Sequence, residues 1–225
     1  MGCCSPQGLG SLTVAALLIL RQRDYKRMLA YSSIEHMGLI AIGAAVGGPL
    51  AMAAVLLHVL GHGLAKATVF VVAGRVLAAE GTTQIDDVRG LLARRPRLAV
   101  PLVAGMAALL GFPPFALFFS EVAIVVAGWR AGLGVAMGAV LVLLLVLFAG
   151  LARATGAMVL GAGTDPAQEV AVAVASGHGG PDEADHGAAT GPTAPLAIAL
   201  GTTAVVGFLV PVGTVLAQAA AAVAR

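Results

Sequence analysis

The chain has 225 residues, of which 59% are hydrophobic and 11% charged, with a mean hydropathy of +0.97 and a formal net charge of +2. An ordinary soluble domain carries about 25% charged residues, so a lipid solvent is the simplest reading. The small net charge and dispersed Lys and Arg exclude a nucleic-acid surface, and Cys3 and Cys4, the only cysteines, are adjacent and frame neither a disulfide scaffold nor a spaced metal site.

Apolar runs between polar breaks predict helices near 8–20, 30–46, 50–78, 98–111, 114–128, 133–160 and 195–221. The expected fold is an all-α, polytopic transmembrane bundle of about six to seven helices, one of them broken at Pro113-Pro114. The first run is short of the roughly 20 residues that a spanning helix needs. At Gly111-Phe112-Pro113-Pro114 the prolines remove backbone donors and clash with a continuing helix. Pro113 and Pro114 therefore mark either a plain loop between two helices or one helix broken at membrane depth, which requires protein or a wet cavity to satisfy the freed backbone groups.

Residues 1–160 read as the transporter-like part, 161–193 as a disordered polar loop, and 194–225 as a final transmembrane helix. The loop holds Asp165, Glu169, Asp182, Glu183 and Asp185 with no Lys or Arg, and its His178 and His186 read as solvated rather than metal-bound. Seven alternating spans place Arg21–Arg27, Arg75–Arg97, Arg130 and Arg225 on one side. The positive-inside rule makes that side cytoplasmic and puts the acidic loop outside.

On the third helix His58, His62 and Lys66 recur every four residues, and four steps of about 100° return to nearly the same face. Intramembrane ionisable groups are costly, by at least about 2.5 kcal/mol on insertion scales, and so face a bundle interior or a wet cavity. Histidines titrate near neutral pH, and chains of such groups form proton relays. The alternative for each histidine is a plain hydrogen bond to a neighbouring helix. Two carboxylates join the set: Glu35, beside His36, for which a position near the membrane surface is the alternative, and Glu121, beyond the proline break. His58 and His62 have metal-ligand spacing but no recognisable third ligand, so no metal is expected. No nucleotide loop, dinucleotide fingerprint or nucleophile pattern is present in the sequence, and no catalytic residue is predicted.

The segment Asp24-Tyr25-Lys26-Arg27-Met28-Leu29-Ala30-Tyr31-Ser32-Ser33, then His62-Gly63-Leu64-Ala65-Lys66-Ala67, then Gly111-Phe112-Pro113-Pro114 with Phe119-Ser120-Glu121, resembles the antiporter-like proton-conducting membrane subunits of complex I and of multisubunit cation/proton antiporters. Tyr31-Ser32-Ser33-Ile34-Glu35-His36-Met37-Gly38 is most similar to the hydrogenase-4 and formate hydrogenlyase branch, as is Gly81-Thr82-Thr83-Gln84-Ile85 leading to Arg89-Gly90-Leu91.

The resemblance implies that Lys66 is a central-channel lysine and Glu121 the terminal ionisable residue of a broken helix, with Glu35, His36, His58 and His62 fitting the branch. It implies the C-terminal part of a subunit of a redox-driven proton or cation pump in a bacterial or archaeal cell membrane. Other membrane subunits and a peripheral hydrogenase or dehydrogenase arm would be its partners, and the nickel-iron and iron-sulfur centres would sit in them, with no cofactor on this chain. A secondary cation/proton antiporter subunit and a non-transporting fragment are the alternatives. The family topology faces the connection after the lysine helix outward, against the charge count, so orientation stays open at this point.

Overall fold

The computed structural model describes residues 6–161, 195–207 and 209. Cys3, Cys4, Arg225, the loop histidines His178 and His186, and nearly all of the predicted polar loop lie outside the described residues. The helices are α1 (Pro6–Leu20), α2 (Tyr25–Val46), α3 (Gly48–Glu80), the single turn α4 (Leu91–Arg94), α5 (Pro96–Leu109), α6 (Ala116–Arg130), α7 (Gly134–Leu160) and α8 (Pro195–Gly207). Among the described residues α2, α3 and α7 are long and apolar enough to cross a membrane unaided, while α1, α5 and α8 are shorter apolar helices. The chain is an all-α membrane helix bundle, as the sequence predicts.

Helices α2 and α3 form a hairpin fixed at both ends. At one end the chain reverses through Gly47 and Gly48, whose φ of 69° and 80° suits residues without a Cβ, and Pro49 then occupies the first turn of α3. At the other end Asp24 caps α2 by accepting the Arg27 amide at 3.0 Å. The same carboxylate accepts the Thr83 hydroxyl at 2.6 Å, the Tyr25 amide donates to Thr83 O at 3.0 Å, and the Ile85 amide donates to Arg23 O at 2.8 Å. The Tyr25 hydroxyl reaches the carbonyls of Ala73 and Thr82. Beyond it, Glu80 at the end of α3 pairs with Arg94 at 3.0 Å and Arg95 at 3.1 Å, holding the α4 turn against the hairpin.

Helices α5 and α6 make one broken crossing, aligned antiparallel to α3. The alignment follows from successive contacts: a Cβ at Gly105 would meet Val69, a Cβ at Gly61 would meet Ala116 and Leu117, Ser120 bonds His58, and Ile124 packs in the same apolar cluster as Val55. The prolines stand between the halves, at the level of the α3 segment that carries His62 and Lys66. Because Pro113 and Pro114 have no N–H, the i→i−4 bonds to Leu109 O and Leu110 O cannot form, and the chain turns through Gly111 at φ 66°.

This single crossing corrects the count of seven alternating spans. Arg130 ends α6 at the Gly48 end of α3, opposite the end that carries Arg21–Arg27 and Arg75–Arg97. Helix α7 returns to the basic end: Arg153 donates to the last carbonyl of α1, Leu20 O, at 3.4 Å, and a Cβ at Gly161 would touch Arg89. The polar loop therefore starts from the same end as the basic cluster, not the opposite one. A two-helix count across the prolines inverts every later side assignment.

Candidate functional site

The buried residues of α2 recur as Tyr25, Met28 and Leu29, Ser32, Glu35 and His36, Leu39, Ile42 and Gly43. Those of α3 recur as Ala54 and Val55, His58, Gly61 and His62, Ala65 and Lys66, Val69. Both are the i, i+3, i+4, i+7 stripe of a helix facing a core. The polar side chains ride on the same stripes as the apolar ones, so packing carries them inside. Ser32, Glu35, His36, His58, His62, Lys66 and Ser120 are all buried.

Lys66 donates to Leu29 O and, at 2.7 Å, to Ser32 Oγ. Ser32 Oγ in turn donates to Leu29 O at 3.0 Å. The ammonium also lies 5.4 Å from the centroid of the Phe70 ring, close enough for a cation–π contact. Lys66 is thus docked across the helix interface onto a single turn of α2. Glu35 lies one turn further along α2, on the same buried stripe as Ser32. It is only 7% exposed, so its carboxyl is enclosed by the neighbouring helices.

One turn back along α3 the three histidines gather. His36 Nδ1 lies 3.1 Å from His58 Nε2, and His58 Nδ1 lies 2.9 Å from Ser120 Oγ. The His36 and His62 ring centroids are 4.4 Å apart, and the His58 and His62 rings stack with centroids 6.4 Å apart. Ser120 Oγ spends its one hydrogen on Leu117 O at 2.8 Å. It must therefore accept from His58 Nδ1–H, which leaves the His58 Nε2 lone pair to accept from His36 Nδ1–H. This assignment follows from the hydrogen-bond network. It gives the chain a direction: His36 to His58 to Ser120. His62 Nδ1 and His36 Nε2 have no hydrogen-bond partner among the described residues.

Glu121 is partly buried and sits against Gly111, where any Cβ would press on its carboxylate. Glu121 and Glu35 line one cavity of about 530 Å³ behind the break, and every other side chain around it is apolar, including Phe112, Phe118 and Phe148. A volume of that size accommodates several waters at about 30 Å³ each. The two carboxylates are the polar groups of this cavity, beside the break.

The structure brings together all the singled-out residues: Lys66, Glu35, His36, His58, His62 and Glu121, with Pro113 and Pro114 at the same level. Sequence reasoning missed Ser32 and Ser120, which hold Lys66 and His58. The signal was available, since Ser32 is four residues before His36 on the core stripe of α2 and Ser120 precedes Glu121. The metal-spaced pair His58 and His62 stack rather than converge, whereas the donors that do converge are His36, His58 and Glu121.

Comparison with known proteins agrees with this architecture. Residues 7–147 match the family described as NADH:quinone oxidoreductase/Mrp antiporter, transmembrane. Over 114 residues the chain is 44% identical to the hydrogenase-4 component F homolog of Methylacidiphilum infernorum, a match covering 51% of this chain and 24% of that protein. The chain therefore spans about a quarter of the length of that curated relative. Among solved structures, it matches a chain of an archaeal membrane-bound sulfane sulfur reductase, a respiratory membrane complex, with a TM-score of 0.72 and 28% identity, covering 94% of this chain and 40% of that one. A chain of the Mrp complex of Dietzia sp. shares the fold at a TM-score of 0.70 and 22% identity, covering 93% and 43% of the respective chains. With the match taking in α1 to α6 and half of α7, the chain belongs to the NADH:quinone oxidoreductase/Mrp antiporter transmembrane family.

Proposed function

We propose that this chain is part of a membrane subunit that relays protons within a redox-driven complex of the hydrogenase-4 kind. Lys66, His62, His36 and His58 form the relay, and Glu35 and Glu121 exchange protons with it through the cavity at the broken helix. The observation that supports this most is the directed chain from His36 through His58 to Ser120, set between the docked Lys66 and the two carboxylates. Hydrogen-bonded imidazoles in a dry interior pass a proton by exchanging which nitrogen carries it.

In this reading the chain binds no redox cofactor. The nickel-iron and iron-sulfur centres sit in partner subunits, and electron transfer there drives proton movement here. Other membrane subunits flank the bundle, a peripheral hydrogenase or dehydrogenase arm completes the complex, and the host membrane is a bacterial or archaeal cell membrane.

The test uses the complete complex in proteoliposomes. Lys66→Ala and Glu121→Ala each abolish or sharply reduce proton translocation while the electron-transfer rate of the partners is partly retained. Undiminished translocation by Lys66→Ala removes the relay. Proton movement driven by an imposed Na⁺ or K⁺ gradient, with no electron donor, would instead assign the chain to a secondary antiporter.

A further inference from the structure

We propose that His36, His58 and Glu121 form a buried binding site for a divalent transition-metal ion of the Zn²⁺ type. One donor atom from each lies within 4.8 Å of the other two, and the three come from three different helices, α2, α3 and α6. Two imidazoles and one carboxylate, with a fourth position left for water, make a common ligand set for four-coordinate Zn²⁺.

The geometry of the histidine pair fits that ion closely. Two nitrogens bound to one tetrahedral Zn²⁺ at about 2.0–2.1 Å stand about 3.3 Å apart, and His36 Nδ1 and His58 Nε2 are 3.1 Å apart. An ion bound to both nitrogens replaces the shared proton and lies about 1.3 Å to one side of the line between them, so each ring swings toward it from its hydrogen-bonded orientation. Glu121 makes no hydrogen bond among the described residues and lines the cavity, so its carboxylate is free to ligate and accessible from that side.

The surroundings set the tautomer of His58 that a metal requires. A ligating histidine donates its other ring N–H to an acceptor, which fixes its tautomer. His58 Nδ1–H already donates to Ser120 Oγ, leaving Nε2 as the ligand. Ligation at His36 Nδ1 moves its hydrogen to Nε2, a buried nitrogen with no hydrogen-bond partner among the described residues.

Where the relay reading holds, the ion also occupies the His36–His58 hydrogen bond and blocks proton passage. That consequence rests on the proposed function; the binding does not.

The experiment titrates Co²⁺ into the full chain in lipid nanodiscs and follows the visible bands of four-coordinate Co²⁺, with Zn²⁺ as competitor and the metal-to-chain ratio measured by elemental analysis. One Co²⁺ per chain with tetrahedral bands is expected. His58→Gln and Glu121→Gln each weaken binding by about 10-fold or more, and Ser120→Ala, which removes the acceptor of His58, weakens it by about 10-fold with the bands retained. The double variant His178→Ala/His186→Ala leaves binding unchanged. Absence of tetrahedral bands in the unaltered chain overturns the proposal before any variant is made. Binding that survives both His58→Gln and Glu121→Gln, in chains of native helix content, overturns it as well. Equilibrium binding needs no turnover, so failure of the relay leaves a positive result standing. Failure to bind in an assembly that still carries protons sinks this proposal alone.

Discussion

Replacing Ser120 by alanine tests the direction of the histidine chain. In the native arrangement Ser120 accepts the His58 Nδ1–H at 2.9 Å and donates to Leu117 O at 2.8 Å. The second bond only supplements a helix carbonyl that already accepts within α6. The loss therefore concentrates on one buried imidazole N–H left without an acceptor, which costs about 1–3 kcal/mol. His58 escapes part of that cost by moving its hydrogen to Nε2, and this forces His36 Nδ1 to become the acceptor. Ser120→Ala is thus expected to invert the chain as well as weaken it. The assay is ¹⁵N NMR of histidine-labelled chain in lipid, where protonated and bare ring nitrogens resolve, paired with denaturant midpoints. In the native chain His58 carries its hydrogen on Nδ1; in the variant it shifts to Nε2 and stability falls by about 1 kcal/mol, the low end of the cost of an orphaned N–H. A native His58 protonated at Nε2, or a variant that changes neither tautomer nor stability, would refute the reasoning.

Other outcomes follow from the same geometry. Asp24→Ala removes a helix cap and the Thr83 contact and is expected to destabilise the hairpin by about 1–2 kcal/mol, with Asp24→Asn, also a good cap, costing well under half of that in denaturant midpoints. Burial pushes the Asp24 carboxyl up, but the Thr83 hydroxyl, the Arg27 and Lys26 amides and the Arg27 charge outweigh it and hold the group below its ordinary value of 3.8. A lowered folded value means that the contribution is complete above the ordinary value and is lost as pH falls through the folded one. An acid titration of stability therefore shows a limb below about pH 4 that Asp24→Asn reduces. Gly61→Leu forces α6 away from α3, since even a Cβ at that position comes within 3.1 Å of Ala116 Cβ. It is expected to cost about 1–3 kcal/mol by overpacking and to break the His58–Ser120 bond, visible as the same tautomer shift.

Periodicity and proline chemistry made much of this fold legible. The boundaries of α2, α3 and α7 fall within a few residues of the apolar runs, because long helices in lipid are written as long hydrophobic stretches. The break at Pro113 and Pro114 was legible as a break, but its consequence for topology was not. Whether α5 and α6 cross once or twice depends on Gly105, Gly61 and Ser120 meeting Val69, Ala116 and His58, and contacts between helices leave no period in the chain. The same limit governed the site. The His58, His62 and Lys66 stripe is a property of one helix and could be counted. His36 lies 22 residues from His58 and Ser120 lies 62 away, so their bonds to it needed the packed bundle. Glu35 looked peripheral because one helix read alone does not show which side its neighbours cover.

The hairpin of α2 and α3 is closed by the Gly47 turn at one end and by the Asp24, Tyr25 and Thr83 bonds at the other. Two rods tied at both ends cannot slip past each other by the helical turn of about 5.4 Å that many moving proteins use. The vertical register of His36 against His58, and of Lys66 against Leu29, is therefore a fixed ruler. Any switching in this part of the chain comes from rotation of side chains or from the proline-broken joint between α5 and α6, where the helix ladder is interrupted beside Gly111.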